Sequence, residues 1–274
     1  MAADAAAPLR VPGVGSTAIA GLLERPGTGV VLGSSSHAIW VLLDDAVVVV
    51  STADATRLPN GVEIAVDAAT DPFGFVRHDE PIEVGGNRIL LAGLTVEVVR
   101  WWDPRPVLPT VSVAELASAI GSLPEEVPGI DGSQLADALG LASAPGVLGA
   151  VEQLLGLGTG LTPEGDDYVA GAVAAMRTLG PAVGDSAAAE MLEATAAPLA
   201  ELASARTTTF SAALITSAQR GEVAAPVGDF LRALSGRGDV DSAYAALSRV
   251  GHTSGPALAA GIVLGARSIV RLNQ

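Results

Sequence analysis

Three stretches of this 274-residue chain carry residue types at spacings that can do chemistry. The first is Gly156-Leu157-Gly158-Thr159-Gly160-Leu161-Thr162-Pro163-Glu164-Gly165-Asp166-Asp167. Glycines permit positive φ and leave backbone N–H groups unshielded, so such a loop feeding a helix N-terminus can hold a phosphate or carboxylate. Gly158, Thr159 and Gly160 are the candidate contacts. Thr162 is placed to cap the helix, with Pro163 at its first position. Asp166 and Asp167 would repel a neighbouring anion unless they bind Mg²⁺, grip an amide donor or face another helix. A turn followed by carboxylates that complement the helix dipole accounts for the same letters. The second stretch, Gly251-His252-Thr253-Ser254-Gly255-Pro256, repeats the design, and Gly255 and Gly261 stand six apart, as do Gly165 and Gly171. Thr253 or Ser254 would cap the helix that follows. His252 is either a proton carrier or oxyanion donor near neutral pH, or a structural histidine bonded to a carbonyl. The third stretch runs from Ser204 to Ser211. Arg206 beside Thr207, Thr208 and Ser211 offers a bidentate fork with short hydroxyl donors, suited to phosphate or carboxylate. A solvated helix end with capping hydroxyls is the alternative there.

Composition narrows the chemistry. There are 30 Asp and Glu against 15 basic residues, a formal net charge of −15, and every basic residue is arginine. Without lysine there is no Schiff base, no pyridoxal phosphate attachment and no Gly-Lys phosphate loop. Without cysteine there is no thiol nucleophile, disulfide or cysteine-ligated zinc. His37, His78 and His252 are the whole histidine complement, too few for a His-rich metal site. An acidic chain with 3% aromatics lacks the basic footprint and the stacking platforms of a nucleic-acid binder. Met1–Arg10 carries Asp4 and has no signal-peptide pattern. The apolar stretch Pro256–Ala266 is short, is broken by Gly261 and Gly265, and is followed by Arg267. The expectation is a cytoplasmic protein that does not span a membrane.

The elements that must position these motifs change character along the chain. Strands are expected at Gly29–Leu32, Ala38–Leu43, Ala46–Ser51, Val62–Val66, Arg88–Leu91 and Leu94–Trp101. Turns are expected at Asp44-Asp45, Pro59-Asn60-Gly61 and Gly85-Gly86-Asn87. Several short strands at this spacing predict a small antiparallel barrel or sandwich. Trp102–Pro109 reads as a proline-rich linker. Beyond it, helices are expected at Val113–Ile120, Gly132–Leu139, Gly146–Leu155, Asp166–Leu179, Ser186–Ser217, Val223–Leu234, Ser242–Val250 and Pro256–Arg271. Pro198 is expected to kink or split the fifth of these. The fold class is therefore α+β, with a β-rich domain over 1–109 and a helical domain over 110–274.

The segments "GLGTGLTPEGDDYVAG", "RTTTFSAALI" and "GHTSGPALAAGI", in this order and separation, resemble the AllH-type family. The resemblance covers the helical half, from about Gly146 to the C-terminus. One departure is Pro256-Ala257, where the family pattern often carries an acidic residue. The resemblance implies a subunit of an oxamate carbamoyltransferase, which interconverts oxalurate plus phosphate with oxamate plus carbamoyl phosphate in purine (allantoin) catabolism. It also implies two protein partners, an AllF/FdrA-like subunit and an AllG-like subunit. In an enzyme subunit, Gly158, Gly160 and Arg206 would hold a phosphate-like anion, Asp166 and Asp167 would orient an amide or a cation, and His252 would shuttle a proton. The alternative is a non-catalytic scaffold or anion-sensing subunit whose motifs are used up in helix contacts.

Overall fold

The computed structural model describes residues 9–91, 93–121 and 123–274, and it separates into two compact units, Met1–Pro104 and Arg105–Gln274. In the first unit, β-branched runs form β1 (Leu9–Ser16), β2 (Gly27–Ser34), β3 (Ala38–Leu43), β4 (Ala46–Ser51), β5 (Gly61–Ile64), β6 (Pro81–Gly85), β7 (Arg88–Leu91) and β8 (Leu94–Trp102), with a short helix α1 (Ala20–Glu24) after β1. They close into a barrel in the order β1-β5-β4-β3-β2-β6-β7-β8, which leaves no open sheet edge. Ile39, Val41 and Leu43 of β3 alternate inward with Val62, Ile64, Ile89, Leu94 and Val96 to fill the interior.

The barrel is not wholly antiparallel. β1 runs parallel to β8, and β4 runs parallel to β5. Hairpins make antiparallel neighbours, as at Asp44-Asp45, where Leu43 faces Ala46 and Asp44 takes a φ of 51°. The chain from Thr52 to Asn60 instead returns along β4 before β5 begins, and β1 closes the barrel by lying between β5 and β8. Both arrangements need a non-local partner that a turn signal cannot announce.

The second unit is helical: α2 (Val113–Ile120), α3 (Ser133–Gly140), α4 (Ala144–Leu154), α5 (Glu164–Val183), α6 (Ser186–Arg206), α7 (Thr209–Gln219), α8 (Ala225–Leu234), α9 (Val240–Leu247) and α10 (Ser254–Leu272). Its core is a single apolar cluster that includes Leu116, Val151, Val169, Met176, Leu199, Phe230, Ile262 and Ile269. α5 and α10 lie against each other along most of their length. Small residues permit this contact: a Cβ on Gly171 would sit 2.3 Å from the Leu258 carbonyl oxygen, and one on Gly261 would sit 2.0 Å from that of Tyr168. Among the described residues, α10 is the one helix with the length and apolarity to cross a membrane, and 72% of its most apolar window is buried inside the unit.

Pro198 does not interrupt its helix. It lies on the exposed face of α6, where solvent can serve the Ala194 carbonyl that loses its N–H partner. The break comes at Thr207 and Thr208, which both adopt extended backbone between α6 and α7.

Candidate functional site

The three motifs meet at the N-termini of α5, α7 and α10. Thr162 and Ser254 bring the first and second together through a 2.9 Å hydroxyl–hydroxyl bond. The Thr208 hydroxyl joins the third to the first by donating to the Leu161 carbonyl at 2.7 Å, and it caps α7 by accepting from the Ser211 N–H at 3.0 Å. Thr207 donates to Asp166 Oδ2. Three positive helix ends therefore converge on one region, with Glu164, Asp166 and Asp167 in the first turn of α5 to complement them.

The glycine loop is wound onto those carboxylates. Gly156, Gly158 and Gly160 all adopt positive φ, between 78° and 109°. The Gly156 N–H donates to Asp166 Oδ1 at 2.8 Å, and the Thr159 N–H donates to Glu164 Oε2 at 3.0 Å. These two amides are thus occupied from within the chain. Glu164 was not singled out by the sequence, although a carboxylate at the first position of a helix and five residues after Thr159 is well placed to return to the loop. Its own N–H and that of Thr159 hold the Glu164 carboxylate below its ordinary range, helped by the Thr253 hydroxyl and the nearby His252.

Thr162 does not cap α5. Pro163 takes the N-cap position with φ −54° and ψ 144°, and Thr162 stands one residue before it. Main-chain carbonyls satisfy the first amides: Gly165 donates to Leu157 at 2.9 Å, and Asp166 to Pro163 at 3.0 Å. The Thr162 hydroxyl is left to bond α10. Similarly, Thr253 occupies the N-cap position of α10 without a side-chain cap bond, and Ser254 is the first helical residue. Gly255 is forced by packing, since a Cβ there would lie 2.2 Å from the Leu247 carbonyl oxygen.

The two aspartates differ. Asp166 is 1% exposed, with both oxygens bonded as described. Asp167 is 4% exposed, and its Oδ2 has no hydrogen-bond partner among the described residues. Burial pushes the Asp167 carboxyl up to about 7; the Ser254 and Thr162 hydroxyls pull the other way, while Asp166 and Glu164 add to the rise. A carboxyl in this state can give or take a proton near neutrality. Among the described residues no three His, Asp or Glu side chains form a group that could hold a metal ion. His252 is exposed. Arg206 pairs with Glu152 of α4, and both side chains are about half exposed. Glu152 lies 54 residues from Arg206, too far in sequence for the pairing to be read there.

All three motifs fall within one stretch of the chain that has known counterparts. Residues 154–266 match the family model of the oxamate carbamoyltransferase subunit AllH. The AllH match begins at the end of α4 and ends within α10, narrower than the expected span from Gly146 to the C-terminus. It contains every residue of the cluster described above except Glu152, the partner of Arg206. No curated protein and no solved structure matches the chain.

Proposed function

We propose that this chain is an AllH-like subunit of an oxamate carbamoyltransferase-type complex in the cytoplasm, working with AllF/FdrA-like and AllG-like partners. In the proposed reaction a phosphate oxygen attacks the carbamoyl carbon of oxalurate. The C–N bond breaks, and the leaving oxamate nitrogen takes a proton. The single observation that carries the reading is that the AllH match coincides with the three converging helix N-termini around Asp166 and Asp167. Converging N–H dipoles favour an anion, and Asp167 is the carboxyl suited to accept an amide N–H or to exchange the proton. Positioning and electrostatics would supply most of the rate, because the chain has neither a cysteine nor a lysine nucleophile.

A second reading has its own support. Asp166 is saturated by Gly156 and Thr207, as expected of a tie that locks the loop to the α6–α7 junction in a non-catalytic subunit. Co-expression with the partner subunits and an assay for carbamoyl phosphate from oxalurate and phosphate separates the two. The enzyme reading expects Asp167→Asn to abolish turnover with the assembly intact. Full activity in that variant would leave the scaffold reading.

A further inference from the structure

Away from these motifs, three arginines converge on one cleft in the second unit. Arg105, Arg177 and Arg220 line it together with Thr110, Thr178 and Gly221, around a volume of about 350 Å³. That is within the size range of small-ligand sites. Among the described residues no Asp or Glu lines the cleft, although carboxylates outnumber arginines 30 to 15 in the chain. Arg177 gives one N–H to Glu193 at 2.8 Å, a carboxylate that is 69% exposed, and among the described residues this is its one side-chain ion pair out of five possible donors. Arg105 is engaged in a contact of its own. Gly221 adopts a φ of 73° and folds over the stems of Arg177 and Thr178, which brings the Arg220 turn onto α5. Compensation of a helix C-terminal dipole accounts for only one of the three arginines, Arg220 at the C-cap of α7. It does not explain why three of them open into one space that no described Asp or Glu lines.

We propose that this cleft binds a phosphate-type oxyanion, free phosphate or the phosphoryl group of a small metabolite, through the guanidinium groups of Arg177 and Arg220 with Arg105 beside them. A tetrahedral dianion accepts donors from several directions at once, whereas a lone carboxylate is served by one planar fork. In a chain of net charge −15 such an anion needs a local concentration of cations to overcome the general repulsion. This site is separate from the α5, α7 and α10 cluster and does not depend on the carbamoyl-transfer reading.

The test is titration calorimetry on the full chain at low ionic strength, with inorganic phosphate, glycerol 3-phosphate and acetate as probes. The expected result is phosphate binding that weakens by at least about tenfold in the double variant Arg177→Ala/Arg220→Ala and persists in Arg206→Ala. Arg220 is exposed, so Arg220→Gln alone keeps the fold intact and must also weaken binding several-fold. Tighter binding of glycerol 3-phosphate than of inorganic phosphate identifies a phosphorylated metabolite as the ligand; the reverse order identifies free phosphate. Absence of binding by either phosphate probe, acetate binding as tightly as phosphate, or loss in Arg206→Ala with the double variant unaffected overturns the proposal.

Discussion

Asp166 has both oxygens bonded, one to the Gly156 N–H and one to the Thr207 hydroxyl, whereas the Oδ2 of its neighbour Asp167, in an equally dry place, has no hydrogen-bond partner among the described residues. Successive helical residues point about 100° apart, so the two carboxyls serve different neighbours: the α6–α7 junction for Asp166 and the start of α10 for Asp167. Desolvation is the larger cause at Asp167, and it favours the neutral acid. The linkage follows in sign. A carboxyl whose folded pKa is raised from 3.8 to about 7 stabilises the fold fully below its unfolded value, and that contribution is lost as pH rises through the folded value. The loss is of the order of a few kcal/mol. Thermal melts from about pH 4 to about pH 8 should therefore show wild-type stability falling relative to Asp167→Asn, whose amide cannot ionise. Parallel pH profiles for the two proteins would mean that Asp167 titrates like an exposed carboxylate.

The elements show where the sequence is legible and where it stops. α2 runs from Val113 to Ile120, as expected, because Ser112 and Glu115 form a reciprocal capping box that local letters specify. β3 and β4 are likewise set by β-branched runs on either side of a two-residue turn. β1 is not legible in the sequence because Pro12, Gly13 and Gly15 interrupt the β-branched alternation that marks a strand. Gly15 is there because a Cβ would lie 2.7 Å from the Trp101 ring, a contact 86 positions away that exists only in the closed barrel. The site follows the same rule. Each motif is legible as a glycine- and hydroxyl-rich helix start, but the bonds that join them link residues 41 and 92 positions apart. The α5–α10 contact gives a test of sign. Gly→Ala in an exposed helix interior stabilises by roughly 0.5–1 kcal/mol. At Gly171 or Gly261 the new methyl would meet a backbone carbonyl of the other helix, so the helices must separate. Overpacking of that kind costs about 1–3 kcal/mol or more. Denaturant unfolding of Gly171→Ala and Gly261→Ala should show destabilisation, and a gain in either would mean that the two helices are not in close contact there.

At the scale of the whole molecule the described residues form two hydrophobic clusters that share no residue, one inside the barrel and one among the helices. The helical cluster spans Val111 to Val270, and its members all lie in the unit that begins at Arg105. A unit of this length buries most of the apolar surface that its unfolded chain exposes, enough to offset its conformational entropy without outside help. Its termini are also tied internally: the Val111 N–H donates to the Ala182 carbonyl at 3.0 Å, and Asn273 donates to Asp185 Oδ2 at 2.9 Å. The AllH match and the arginine cleft both fall within the same unit. The fragment Arg105–Gln274 should therefore fold alone, with a helical far-UV circular dichroism spectrum and one cooperative thermal transition. Because α5 and α10 form the centre of that core, Gly261→Ala in the fragment should lower the midpoint in the same direction as in the full chain. A fragment that melts without cooperativity, or that exposes its core to a hydrophobic dye at low temperature, would show that the helical unit depends on the barrel for its fold.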